Sequence, residues 1–342
     1  MGNPNMLRCP VCAGTGTTFL RQAHDDRYGY PDLFKLVRCT HCGHVMTSPR
    51  LSDSDLGPLY STYYPRKHVN VEDLKRDAAC ALSQWAPLRR WCAGTDNQGQ
   101  YSLRPGESML DIGCGSGLSL LEAKALGAFA KGIEADPNVR RIADELGLSI
   151  HIGTLQDEPF ASEQFELVVL NQVIEHVPDP ALTLDRLRSR LKKDGRIILV
   201  FPNVESFWRR IFGEIWINWH VPYHLHHFSR RGFARMAVRL GYEVRSVRTI
   251  TPNLWTILQF RAVRWRTKTG ELSPIWAVPS SAVPSCLVGT QKQWYMLRIL
   301  RGMARRFVLL GLMIPITLLN RFVDALGWGD SVMVEIVPAV LP

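Results

Sequence analysis

A chain of 342 residues is long for one domain and comfortable for two, so it can bury a sizeable core unaided. Hydrophobic residues make up 46% and charged residues 21%, which excludes an intrinsically disordered chain. The net charge of +10 is unevenly placed: Arg196–Arg306 holds 18 Lys/Arg against 4 Asp/Glu, a surplus larger than that of the whole chain. Such a field in the C-terminal half suits an anionic partner, whether lipid head groups, a phosphate-bearing substrate or nucleic acid.

Met1–Leu7 holds no charged segment running into an apolar stretch, so no secretory signal is expected there and the chain reads as cytoplasmic. The first feature in chain order is a pair of knuckles, Cys9-Pro-Val-Cys12 and Cys39-Thr-His-Cys42, 26 residues apart. Four thiolates at this spacing suit a tetrahedral structural zinc, and a turn-rich segment poor in apolar residues needs such a staple. Two disulfides are the competing reading, favoured only in an oxidising compartment. A closed four-thiolate site has no open position to activate water, so the zinc reads as structural.

The expected organisation is a zinc module over 1–50, a connector and helical region over 51–105, a catalytic core over 106–250, a basic and apolar insertion over 251–328, and a last strand within 329–342. The connector opens on Tyr60, Tyr63 and Tyr64 and continues as one helix around Val71–Trp91. Strands are expected at Ser108–Ile112, Ala130–Ala135, Ser149–Ile152, Leu167–Leu170 and Arg196–Phe201, alternating with helices near Gly117–Leu126, Asn138–Leu146 and Pro180–Lys193. A helix at Arg230–Leu240 leads into a strand at Tyr242–Thr249, and Ser331–Val337 alternates like a strand returning to the sheet. Alternation of this kind points to an α/β fold, a doubly wound, mostly parallel sheet with helices on both faces.

Asp111-Ile-Gly113-Cys-Gly115-Ser-Gly117 follows the first strand of that series and opens a helix. Glycines there let the backbone turn sharply and approach a ligand beside the positive end of the helix. Some twenty residues on, Glu134 ends the second strand, where a carboxylate can accept hydrogen bonds from two ribose hydroxyls. The Gly-x-Gly-x-Gly spacing departs from the dinucleotide form, and Asp111 would repel a pyrophosphate while favouring the cationic aminoacyl end of S-adenosylmethionine.

Together with the run Phe165–Val177, these residues resemble the class I S-adenosylmethionine-dependent methyltransferases over about Glu107–Arg248. The resemblance implies a seven-stranded Rossmann-like sheet whose final strand is antiparallel. It also implies that Asp111, Gly113 and Gly115 line the methionine side, with Gly117 also binding the cofactor, Glu134 the ribose, Thr154 and Leu155 the adenine, and that Asn171 and Gln172 close over methionine and substrate. More loosely, Cys9–Tyr64, with its Thr47-Ser-Pro-Arg50 and Tyr-x-x-Tyr-Tyr runs, is similar to bacterial methyltransferases of sugar and polysaccharide biosynthesis, sugar C-methyltransferases among them. That group also carries a His-Leu-x-x-Phe-Ser segment, matched here at His224–Ser229.

The loop Trp219–Ser229 holds four histidines after the fifth strand of the core. An imidazole there can take a proton from a substrate hydroxyl or carbon acid, and His224 and His176 are the candidate bases. Structural roles compete: His224 bonded to backbone, and Ser229 as the N-cap of the next helix. Phe307–Leu319 is an apolar run of thirteen residues interrupted by Pro315, too short to span a bilayer. With Trp255–Phe260 and the arginines beside both, it suits a helix lying on anionic lipid, a buried cap or a dimer interface. The expected function is methyl transfer from S-adenosylmethionine to a sugar, glycan or lipid-linked small-molecule acceptor, one that the inner membrane face could present. The competing functions are an RNA methyltransferase that uses the ribbon for phosphate contacts and a catalytically silent membrane-associated scaffold.

Overall fold

The structure, a computed structural model, describes residues 8–49, 59, 63, 70–276 and 313–339. Strands β1 (Thr17–His24), β2 (Leu33–Cys39) and β3 (Val45–Ser48) form an antiparallel meander. Two helices follow, α1 (Val71–Ala81) and α2 (Ala86–Ala93), where the sequence suggests one. Pro87 explains the break: it has no N–H to donate and its ring would strike the carbonyl of Ser83 in a continuous helix. Ser83 instead accepts Ala86 N at 2.8 Å and the helix restarts.

The alternating core then appears in the expected order. β4 (Ser108–Ile112), α3 (Leu118–Ala125), β5 (Phe129–Glu134), α4 (Val139–Leu146) and β6 (Ser149–Ile152) build one half. β7 (Phe165–Asn171), α5 (Pro180–Arg188) and β8 (Leu191–Pro202) begin the other. The helix expected to reach Lys193 stops at Arg188, because buried Leu191 already pairs with Phe165 and opens β8. The register then jumps to Leu167 opposite Arg196, so 192–195 bulge out of the strand. Asp179 caps α5, its Oδ1 accepting Ala181 N and Leu182 N at 3.0 Å, with Pro180 at the first position.

Past β8 come α6 (Phe207–Phe212), the two-residue β9 (His226–His227), α7 (Arg230–Arg239), β10 (Tyr242–Ile250) and α8 (Asn253–Arg264). Helix α9 covers 313–325, and β11 (Ser331–Pro338) ends the sheet. The seven strands lie in the order β10-β11-β8-β7-β4-β5-β6, with β11 antiparallel to both neighbours and the five strands from β8 to β6 parallel. Strand order reverses at β4, so a crevice opens at the carboxyl ends of β4 and β7. β7 and β8 are apolar along most of their length because helices cover both faces. Fully burying one such side chain stabilises the fold by about 1.5–3 kcal/mol.

The N-terminal meander is not a separate bead. β9 adds as its fourth strand, pairing Val45 with His227 and Met46 with His226. Cys9, Val11, Val37 and Met46 share one core with Leu199, Phe228 and Phe233 of the catalytic half. Residues 307–312 of the apolar run lie outside the described residues, and the rest of it falls in α9. There the buried Asn320 bridges to α8, donating to Asn253 Oδ1 at 2.9 Å and Thr256 Oγ1 at 3.0 Å.

Candidate functional site

The carboxyl end of β4 turns through Gly113 and Gly115, at φ +70° and +54°, before α3 begins. Gly113 N donates to Ile133 O at 2.7 Å, which ties the turn to the neighbouring strand β5. Glu134 stands over it: Oε2 accepts Gly115 N at 2.8 Å and Oε1 accepts Asp136 N at 2.9 Å. The carboxylate therefore braces the loop, and about two of its four lone-pair positions remain for ribose hydroxyls.

Asp111 is buried, with Oδ2 accepting the Ser119 hydroxyl and Oδ1 left without a hydrogen-bond partner among the described residues. Burial, helped by the nearby charge of Glu134, pushes its carboxyl up to about 7. A buried acidic oxygen short of a donor fits the ammonium group of an aminoacyl ligand, as expected for S-adenosylmethionine.

Thr154 and Leu155 follow β6 as expected, but Thr154 is exposed and engaged locally. It caps a one-turn helix, accepting Gln156 N at 3.2 Å and donating its own N to Asp157 Oδ2 at 2.7 Å. Leu155 packs against the main core. Asn171 ends β7, and Gln172 next to it takes the left-handed conformation at φ +57° with its Nε2 buried and unpartnered among the described residues. Strain of this kind in a non-glycine residue persists where the surroundings impose it, often at ligand sites. Gly113, Gly115, Glu134, Asp111, Asn171 and Gln172 thus gather at the crevice mouth; Gly117 turns the chain into α3 at φ +81°.

The histidine loop folds over the end of β7. His176 is half-buried and packs edge-on to buried His224, with ring centroids 4.7 Å apart. His224 Nδ1 lies 2.9 Å from Asn218 O and its Nε2 3.3 Å from His220 Nδ1. The backbone-bonded reading of His224 therefore holds, and Ser229 does cap α7 through Gly232 N at 3.0 Å. Both oxygens of fully buried Glu175 lack a hydrogen-bond partner among the described residues, and burial lifts its carboxyl to about 8. Burial, with the charge of Arg27, lowers His176 to about 4, and burial likewise lowers His220 and His224, which favours the neutral form of all three. Atoms of Glu175, His176 and His224 lie within 4.8 Å of one another, a spacing a metal could bridge. Both His224 nitrogens already have hydrogen-bonding neighbours, which favours a hydrogen-bonded network.

Several contributors carry no sequence signal. Tyr28 and Arg27, from the β1–β2 turn, reach this loop: Tyr28 packs 5.7 Å from His220 and 5.4 Å from Tyr223. Asp330, next to β11, holds Ser206 at 2.6 Å, Trp216 at 2.8 Å and Asn218 at 3.0 Å, and so anchors the segment that carries His224. Of the connector tyrosines, Tyr63 packs against Tyr30 at 5.1 Å, while Tyr60 and Tyr64 lie outside the described residues.

In the knuckles, Cys9 Sγ lies 3.5 Å from Cys42 Sγ and Cys12 Sγ 3.6 Å from Cys39 Sγ, with all four within 4.8 Å of one another. None of the four is disulfide-bonded. Tetrahedral zinc with Zn–S near 2.3 Å requires sulfurs about 3.8 Å apart, so the four thiols fit that ion.

Residues 83–247 match the family model described as a methyltransferase domain. A ubiquinone biosynthesis O-methyltransferase from Paraburkholderia phymatum is 27% identical over 158 residues, covering 42% of this chain and 68% of the relative. One from Cereibacter sphaeroides is 35% identical over 133 residues, covering 36% and 54%. The matched part thus spans between about half and two thirds of those relatives. Among solved structures, a SAM-dependent methyltransferase from Archaeoglobus fulgidus superposes at 14% identity over 83% of this chain and 99% of its own, with a TM-score of 0.40. The fold itself rests on this protein's own strand order. The strand order and the glycine turn agree with that match of residues 83–247 to a methyltransferase domain.

Proposed function

We propose that the protein transfers the methyl group of S-adenosylmethionine to a hydroxyl of a sugar, glycan or lipid-linked acceptor held between the crevice and the histidine loop. The observation that carries this is Asp111: a buried carboxyl with one unpartnered oxygen, beside a glycine turn braced by Glu134. Asp111 takes the ammonium group of the donor and Glu134 its ribose, while Gln172 closes over the methionine moiety. Half-buried His176 faces the acceptor; as a neutral imidazole it accepts the hydroxyl proton or only a hydrogen bond, since in-line positioning supplies much of the rate. Oxygen as the methylated atom agrees with the relatives' O-methyltransferase names. The sugar or glycan class rests on the looser N-terminal resemblance. The four thiolates hold a structural zinc and no step passes through it.

Attachment to the membrane face belongs to the same reading. Leu254 and Phe260 of α8, and Ile314, Leu318 and Phe322 of α9, are more than half exposed, with Arg261 and Arg264 beside them. No helix among the described residues is long and apolar enough to cross a membrane, so any attachment by them is interfacial.

Calorimetry of the full chain with S-adenosylhomocysteine, paired with transfer of tritiated methyl into lipid-extracted, saccharide and RNA fractions, tests the proposal. Expected are donor-product binding and label in a hydroxyl-bearing lipid or saccharide fraction, with transfer reduced in His176→Ala at unchanged S-adenosylhomocysteine affinity. Absence of binding refutes the donor, and label confined to RNA refutes the acceptor.

A further inference from the structure

Where the cysteine module meets the catalytic domain, a cleft of about 280 Å³ opens beside β9. Arg38 of β2 and Arg209 and Arg210 of α6 line it, with His227, Ser229 and one carboxylate, Glu205. Among the described residues none of the three guanidiniums has a carboxylate within ion-pair distance, and Arg209 Nε is buried without a hydrogen-bond partner. Arg38 and Arg210 are exposed and Arg209 is partly buried, so water softens their mutual repulsion and an anion at the cleft offsets what remains. The chain keeps Arg209 in place all the same, since Ser206 Oγ accepts its backbone N at 3.1 Å and Trp219 lies 5.7 Å beneath its guanidinium. Arg209 is held below the usual arginine value, by burial and then by the charges of Arg38 and Arg210.

The cleft lies near the histidine loop. His227 forms part of its wall and sits 6.3 Å from His224, whose ring touches His176 at the end of β7. Two ring contacts therefore separate the basic cleft from His176.

We propose that this cleft is a phosphate- or diphosphate-binding subsite that anchors the acceptor through Arg38, Arg209 and Arg210. The inference rests on the methyltransferase reading and narrows its acceptor to a phosphorylated one. Planar guanidiniums suit it because they pair with phosphoryl oxygens two bonds at a time. An alternative duty for the same arginines is to offset the negative charge of a zinc tetrathiolate at neighbouring Cys42.

The test is calorimetric titration of the full, zinc-loaded chain with inorganic pyrophosphate, alongside S-adenosylhomocysteine binding and zinc analysis on the same preparation. Expected is pyrophosphate binding that weakens with salt and falls about tenfold or more in Arg209→Gln/Arg210→Gln, with S-adenosylhomocysteine affinity and zinc content retained. Arg38→Gln, on an exposed strand position, should show the same direction if the double variant folds poorly. Flotation with phosphatidylglycerol against phosphatidylcholine vesicles identifies the source: arginine-dependent binding to the anionic vesicles assigns a lipid head group, and pyrophosphate binding without flotation assigns a soluble phosphate ester. Failure of wild type to bind pyrophosphate at about 1 mM, or variants that lose zinc while pyrophosphate affinity is unchanged, overturns the subsite. In either case intact S-adenosylhomocysteine binding leaves the methyltransferase reading standing.

Discussion

Replacing Gly113 or Gly115 by alanine separates two duties that a glycine-rich turn usually mixes. Both residues sit in the left-handed region, where a side chain costs about 1–2 kcal/mol. Only at Gly113 does the added methyl meet protein, 2.5 Å from Val173 Cγ2, in the segment between Gln172 and Glu175. Forcing that contact in a packed site adds about 1–3 kcal/mol, partly offset by about 0.4–1 kcal/mol from the stiffer unfolded chain. Gly113→Ala should therefore destabilise the protein by about 2–4 kcal/mol. At Gly115, whose N–H Glu134 holds, a Cβ meets nothing within 4 Å and faces open space. Gly115→Ala should lose only about 1 kcal/mol of stability yet weaken S-adenosylhomocysteine by at least about tenfold, since the methyl takes ligand space. Urea denaturation gives the first quantity and calorimetry the second. Equal destabilisation of the two variants, or wild-type affinity in Gly115→Ala, would refute the assignment of wall and cradle.

Donor affinity should depend on pH through Asp111. Its carboxyl, pushed up from the usual 3.8 to about 7, must lose a proton before it can meet an ammonium group. S-adenosylhomocysteine affinity should thus rise toward pH 7 and then level, with Asp111→Asn weaker and flat; a flat wild-type profile contradicts the role. Ligand-free stability runs the other way, because a carboxyl with a raised folded pKa contributes stability below about 4 that is lost as pH climbs through about 7. Metal analysis should find a single zinc per chain. Its removal by chelator should lower the melting temperature and disturb the histidine loop as well as the knuckles, since β3 pairs directly with His226 and His227. A chelated protein with unchanged melting and tryptophan fluorescence would sink the structural-zinc reading.

The alternation from Ser108 to Pro202, the end of β8, is readable in the sequence because buried parallel strands and capped helices each leave a local pattern. Two boundaries mislead for reasons that lie outside the apolar period. Pro87 breaks Val71–Trp91, and the pairing of Leu191 with Phe165 ends α5 early. In the site, Gly113, Gly115 and Glu134 declare themselves by spacing along the chain. Ser119 does not, since only the first turn of α3 brings its hydroxyl back to Asp111.

Three features are written in the chain's neighbours and fixed spacings: the strand–helix alternation, the glycine turn with its acidic partner at the next strand end, and the four-cysteine pattern. Other features exist only once the chain has folded. β3 accepts His226–His227 as a fourth strand, Arg27 and Tyr28 reach the histidine loop, and three arginines from two elements meet in one cleft. Contacts of this kind join residues as much as about 195 positions apart, and no local periodicity encodes a pairing that depends on how two sheets share one core.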